Sequence, residues 1–306
     1  MMTVAVNGKS RIALQSILFA TDFSSASEQA LGYALGIARR YDAKILLAHV
    51  IRPDAYQLVP PEAVTVTAEH TRRFAEQQMS RLLVSGRLRG IPHQVLLGTG
   101  ELWPVLSEFL EQHEVDMIVV GTHGRTGVRK LLLGSVAEEI FRLAPCPVLT
   151  VGPHVVPRTS LEAGVNGALR RILLATDFTP NSARAAAYAF SLAQEHMAHL
   201  TLLHVVQETP ERSHQNQARV QEFFQRRMAE LLPPEAELWC EPEFLLEHGT
   251  PADVILRAAQ GESAETCADL IVLGVRKAAN FPGHLPPATA YKVVCQATCP
   301  VLTIRG

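Results

Sequence analysis

"ILFATDFSSASEQALGYALGIARRYDAKILLAHV", residues 17–50, returns 155 positions later as "ILLATDFTPNSARAAAYAFSLAQEHMAHLTLLHV", residues 172–205. The match sets Asp22 on Asp177, Tyr33 on Tyr188 and His49 on His204. Farther on, "DMIVVG" (116–121) pairs with "DLIVLG" (269–274), and "CPVLTV" (146–151) with "CPVLTI" (299–304), both at a spacing of 153. A near-constant spacing over the whole length means one domain written twice. The intervening "GPHVVPRTSLEAGVNGA" (152–168) has two prolines, three glycines and no apolar period, so it reads as a linker. The expected division is therefore a first domain at 1–152, a linker at 153–168 and a second domain at 169–306. Each copy is close to the ~150 residues that bury a full core.

Within the first copy, "SILFAT", "KILLAHV", "HQVLLG", "MIVVG" and "PVLTV" are short apolar runs rich in β-branched residues. Runs apolar on both alternations are strands buried on both faces, which is the mark of a parallel sheet. Helical patterns separate them. Ala30, Ala34, Leu35 and Ala38 recur at helical spacing behind the capping residues Ser24 and Ser25. Further helices are expected around 65–88, from Glu101 and from Gly134–Ser135. The order βαβαβαβαβ with right-handed crossovers predicts a doubly wound α/β domain, five parallel strands with helices on both faces.

Composition excludes several classes of function. A net charge of −2 offers no basic field for nucleic acid. No run approaches the about 18 apolar residues of a membrane span, and the N-terminus has no signal-peptide block, so a cytoplasmic protein is expected. Five cysteines, four of them in the second copy, do not make a disulfide framework. Cys295 and Cys299 stand four apart, but no second His or Cys pair at ligand spacing accompanies them, which leaves them as small buried hydrophobes or a redox pair.

The stretch that points to chemistry is "GTHGRTGVRKLLLGS" (121–135), after the fourth strand. Ligands of open α/β sheets bind beyond the carboxyl ends of the strands, where the strand order reverses. Glycines at 121 and 124 allow positive φ and close backbone approach. Gly134 and Ser135 open a helix whose first N–H groups lack partners, and together these form a cradle for phosphate. Arg125, Arg129 and Lys130 add positive charge at its rim. Neither a Walker A ending nor a first-strand dinucleotide fingerprint is present. Gly-x-x-Gly, nine residues and Gly-Ser is the nucleotide-loop pattern of the universal stress protein family, which the chain resembles over essentially its whole length as a tandem pair.

The resemblance implies flavodoxin-like (adenine nucleotide alpha hydrolase-like) domains that bind ATP. By the same resemblance Ala20, Thr21 and Asp22 follow strand one, and the Val50 backbone reads the adenine edge. Gly121, Thr122, His123, Gly124 and Arg125, with Gly134, Ser135 and Val136, surround ribose and phosphates. Mg²⁺ would bridge phosphate oxygens. Asp22 serves equally well as a cap for the first helix, since Asp177 persists in the second copy. His123 reads as a solvated side chain, and His49 and His204 as packing beneath the site. In the second copy Lys277, Pro287 and Ala288 replace Gly124, Gly134 and Ser135, so that copy is expected to be intact in fold and largely free of nucleotide. Catalysis is not required: only Asp22 and His123 could assist hydrolysis, and neither is a strong signature. A slow ATPase, an adenylyl-transferring relative and a protein-binding scaffold holding ATP structurally remain the alternatives. The open edges at "PVLTV" and "PVLTI" are expected to pair with each other as a pseudo-dimer, with further homodimerisation possible.

Overall fold

The computed structural model describes residues 5–6, 9–10, 12–52, 61–122, 133–156, 169–207, 217–232, 242–263, 265–276 and 288–305. A short antiparallel ribbon of β1 (Ala5–Val6) and β2 (Lys9–Ser10), not foreseen from the sequence, precedes the first copy. That copy runs β3 (Ser16–Ala20), α1 (Ser25–Tyr41), β4 (Lys44–Ile51), α2 (Pro61–Val84), β5 (His93–Thr99), α3 (Leu102–Gln112), β6 (Met117–Gly121), α4 (Ser135–Leu143) and β7 (Val148–Val151). The second repeats it as β8 (Arg171–Ala175), α5 (Pro180–His196), β9 (His199–Val206), α6 (Gln217–Ala229), β10 (Glu243–His248), α7 (Pro251–Gln260), β11 (Leu270–Val275), α8 (Ala288–Gln296) and β12 (Val301–Arg305).

All strands of each copy pair in parallel, and β7 and β12 pair antiparallel, as the two apolar edges require. The result is one ten-stranded sheet in the order β10-β9-β8-β11-β12-β7-β6-β3-β4-β5. Leu149 faces Leu302, its own counterpart at the 153 spacing, so the pseudo-twofold axis passes through that pair. One continuous core on one sheet face gathers residues of α1, α2, α5 and α6; another on the opposite face gathers α3, α4, α7 and α8. Strand β3 illustrates why: all five of its residues are buried, alternating between the two cores.

The recurring Asp of "DMIVVG" and "DLIVLG" lies at the amino ends of the strands, opposite their carboxyl ends. Asp116 Oδ2 accepts the N–H groups of Gln15 (2.7 Å) and Ser16 (3.0 Å), and Asp269 Oδ2 those of Arg170 (2.7 Å) and Arg171 (3.1 Å). Each carboxylate fastens the start of one strand to the start of its neighbour.

Candidate functional site

Strand β3 lies between β6 and β4, so the strand order of the first copy reverses between β3 and β6. The site assembles beyond their carboxyl ends. Thr21 continues β3 and donates its N–H to Ala48 O (3.0 Å). The next three residues turn into α1 through a fixed network. Asp22 Oδ1 accepts Ser24 N–H (3.0 Å) and the Ser27 hydroxyl (2.6 Å), while Ser24, the N-cap of α1, accepts Ser27 N–H. Burial raises the Asp22 pKa, but hydrogen bonds from Ser24 and Ser27 outweigh it, and the group is held below its ordinary value. A carboxylate held in this way is a poor base. In the second copy Asp177 Oδ1 accepts the N–H (3.1 Å) and hydroxyl (2.6 Å) of Thr179, which caps α5. In both copies the helix is capped by the hydroxyl residue, and the Asp holds the turn by bonding that residue's N–H, which corrects the expectation that Asp22 is itself the cap.

Phe23 and Phe178 occupy the same turn position with φ of 62° and 58°, a conformation bulky residues rarely adopt. Each ring packs at a tilt against a histidine: Phe23 against His49 with centroids 4.5 Å apart and planes at 39°, Phe178 against His204 at 4.6 Å and 40°. Each histidine donates Nδ1–H to the carbonyl that precedes the turn, His49 to Thr21 (2.7 Å) and His204 to Thr176 (2.8 Å). Both therefore pack beneath the site. Burial depresses the His204 pKa.

Val50 is two residues beyond Ala48 on β4. Backbone groups alternate sides along a strand, and Ala48 O is turned toward β3. The Val50 N–H and C=O therefore face the same side, past the point where β3 has ended at Ala20.

Gly121 ends β6, and its φ lies outside the left-handed region. A Cβ built on it would stand 2.6 Å from Ala26 O and 2.9 Å from Ser27 N, the backbone of the first turn of α1. The close approach that demands glycine here is to a helix of the same chain, which corrects the expectation that the left-handed freedom of Gly121 serves a ligand. Gly274 has the same constraint, against Ser182 N and 2.6 Å from Asn181 O. The second copy has kept this glycine because the packing of α5 needs it.

Thr122 is buried, donates to Val151 O (3.0 Å), and accepts the Gly134 N–H at 2.6 Å. That bond ties the start of α4 to the end of β6, closing the mouth of the loop between them. His123, Gly124 and Arg125 lie outside the described residues, as do Lys277 and Pro287. Gly134 is the N-cap of α4 with φ −61° and ψ 150°, which any residue can adopt. Since its N–H is used by Thr122, the donors without an intrahelical partner begin at Ser135, and the first helical bond runs from Glu138 N–H to Gly134 O. Ser135, Val136 and Ala137 therefore present three N–H groups at a helix N-terminus next to the switch point. A proline at 287 has no N–H with which to make the equivalent bond to Val275.

No group of His, Cys, Asp or Glu suited to a metal ion occurs among the described residues. Cys146, Cys267, Cys295 and Cys299 are buried and not in disulfides, and burial pushes the Cys146 thiol up to about 12 and Cys295 to about 11. Thiols so protonated are inert, which weighs against a redox pair at 295 and 299. A cleft of about 540 Å³ lies away from the site, against α7. There Ala258 and Glu247 stand where the first copy has Phe109 packed on Gly98.

The family model described as "Universal stress protein family" matches residues 13–152 and again 168–305. The chain belongs to the universal stress protein family. It carries the family domain twice, in a protein none of whose described helices is long and apolar enough to cross a membrane. A universal stress protein of Methanocaldococcus jannaschii is 30% identical over 138 residues, 45% of this chain and 81% of the relative. A Staphylococcus aureus (strain USA300) relative is 32% identical over 149 residues, 48% of this chain and 89% of its own. The crystal structure of a universal stress protein from Archaeoglobus fulgidus aligns with a TM-score of 0.67 at 23% identity, covering 95% of this chain and 98% of that one. The tandem architecture is therefore shared.

Ser27 and Arg305 escaped the sequence reading of this universal stress protein. Ser27 had a signal: its hydroxyl counterpart Ser182 recurs at the 155 spacing, inside the turn that both copies fix.

Proposed function

We propose that this universal stress protein binds ATP at one site, in a first domain of residues 1–152, and that the second domain, 169–306 beyond a linker at 153–168, is largely free of nucleotide. The observation that carries the reading is the Gly134 N–H bond to Thr122 O, beside which the amides of Ser135, Val136 and Ala137, lacking intrahelical partners, lie near the β3/β6 switch point. Backbone donors fixed at a helix N-terminus favour an anion, and phosphate above others. The Ser135 hydroxyl adds a donor. Ala20, Thr21 and Gly121 form the floor, the Val50 backbone meets the adenine edge, and Asp22, with Oδ1 committed to the turn, offers Oδ2 to the ribose. Thr122 anchors the loop, and His123, Gly124 and Arg125 complete it around the phosphates. Mg²⁺ would be held through phosphate oxygens rather than by protein ligands. The output is a nucleotide-dependent stress-response or signalling module in the cytoplasm.

Calorimetry with ATP tests this. One site per chain is expected, and Val136→Pro should weaken binding about 10-fold by removing one amide, the worth of a hydrogen bond to a charged group. Proline is tolerated in the first helical turn, so circular dichroism should be unchanged. Two equivalent sites, or unaltered affinity in a folded Val136→Pro protein, would overturn the reading.

A further inference from the structure

The two copies treat their fourth helices differently where they meet. Arg305, the last residue of β12, donates from a guanidinium NH to Arg142 O, one of the carbonyls at the C-terminus of α4 that no helical N–H can reach. Its guanidinium carbon lies 5.6 Å from the centre of the Phe141 ring, within cation–π range. Burial and the nearby Arg142 push the Arg305 pKa down to about 10, which leaves it charged at neutral pH, as a cation facing the negative end of a helix should be.

The equivalent position of the first copy has no side chain with which to reciprocate. The residue 153 positions before Arg305 is Gly152, where a Cβ would meet Val294 O of α8 at 3.2 Å. The copy with the intact loop pattern is gripped by a side chain of its twin, while at the equivalent position the twin's fourth helix meets the backbone of Gly152. Arg305 retains one buried NH, and Arg142 its Nε, with no acceptor among the described residues. Two buried donors left unmatched cost stability, so the contact is retained against a penalty.

We propose that Arg305 is a positioning residue: the second domain, having lost its own phosphate loop, clamps the C-terminus of α4 and so fixes its N-terminus at the ligand edge of the first. The proposal rests on the preceding reading that Ser135–Ala137 meet phosphate. Helix α4 has nine residues, about 13 Å in length, and a rod so short moves as a unit when one end is released.

Arg305→Met retains the aliphatic stem over Phe141 and removes the charge and the donors. The control is Arg40→Met, which removes another cross-copy arginine, bonded to Glu195 O at the end of α5 and remote from α4. With calorimetry on the full chain, Arg305→Met should raise the Kd for ATP about 5-fold or more, the lower end of a coupling between sites. Arg40→Met should stay within about twofold, since an exposed pair contributes little. Hydrogen exchange should show lost protection in α4 but not α8 in the Arg305→Met protein, a readout that stands if binding is hard to measure. No ATP binding by the wild-type chain would defeat the proposed function itself. Wild-type binding with an unaffected Arg305→Met, equal losses in both variants, or unchanged exchange in α4 would defeat the clamp alone.

Discussion

At the scale of single residues, Gly121 and Gly274 show how a position can belong to a nucleotide-loop pattern and still be held by packing. Each lies against helix backbone, which cannot swing aside as a side chain can. Gly121→Ala and Gly274→Ala should therefore each destabilise by about 2–3 kcal/mol, the range for overpacking a tight site. Urea unfolding midpoints measure it. The second substitution is the sharper test, because the loop after Gly274 lacks the other pattern residues; a tolerated Gly274→Ala would leave the retained glycine unexplained. Asp22 teaches the same lesson, since its Oδ1 bonds are matched in kind by those of Asp177.

At the scale of elements, the turn from β3 into α1 and from β8 into α5 is one device used twice. An Asp, a left-handed Phe packed at a tilt on a His, and a hydroxyl N-cap recur in order. Ser24→Ala and Thr179→Ala should each cost about 1 kcal/mol, the usual worth of such a cap. Only Ser24→Ala should also weaken ATP binding, because it loosens the turn that carries Asp22. Equal effects of both on binding, measured by calorimetry beside thermal unfolding, would mean that this turn does not shape the site. Strand and helix positions were legible because apolar period and capping residues are local signals. The antiparallel pair of β1 and β2 was not, since strands of two residues leave no period to detect.

At the scale of the whole molecule, the pseudo-twofold axis places residues 155 apart opposite each other. Arg40 meets Glu195, its own counterpart, at 3.2 Å. A symmetric pair of identical first copies would set Arg40 against Arg40, so the fused chain has a complementarity that a homodimer of either copy lacks. His196 lies on the same seam, 4% exposed, lining a small enclosed cavity with Tyr33, Ile37 and Leu149 of the other copy. Its Nδ1 accepts Leu169 N–H (3.2 Å), so the proton sits on Nε2, which is buried without a partner among the described residues. Burial, reinforced by Arg40, lowers its pKa from 6.5 to about 4. The unfolded chain thus takes up this proton before the folded one does. The histidine costs the fold nothing above about pH 6.5, and stability should fall as pH drops from there to about 4. The full loss is about 3 kcal/mol at ~1.4 kcal/mol per pKa unit. His196→Asn should flatten that slope in urea unfolding run across the window; an unchanged slope would remove His196 as its source.

The sequence by itself determined the duplicated α/β architecture, the strand and helix order and the position of the glycine-rich loop after the fourth strand, because period, caps and an internal repeat are properties of neighbours along the chain. It also determined that the second loop is degenerate, since proline has no amide hydrogen and lysine has a side chain where glycine has none. The tertiary structure alone decided why Gly121 and Gly274 are glycines, that the Gly134 amide is used by Thr122, and that Arg305 grips α4. Each of these contacts joins residues from separate elements, and which backbone atom or carbonyl lies opposite is set by how helices seat on the sheet and how the two copies meet at the axis.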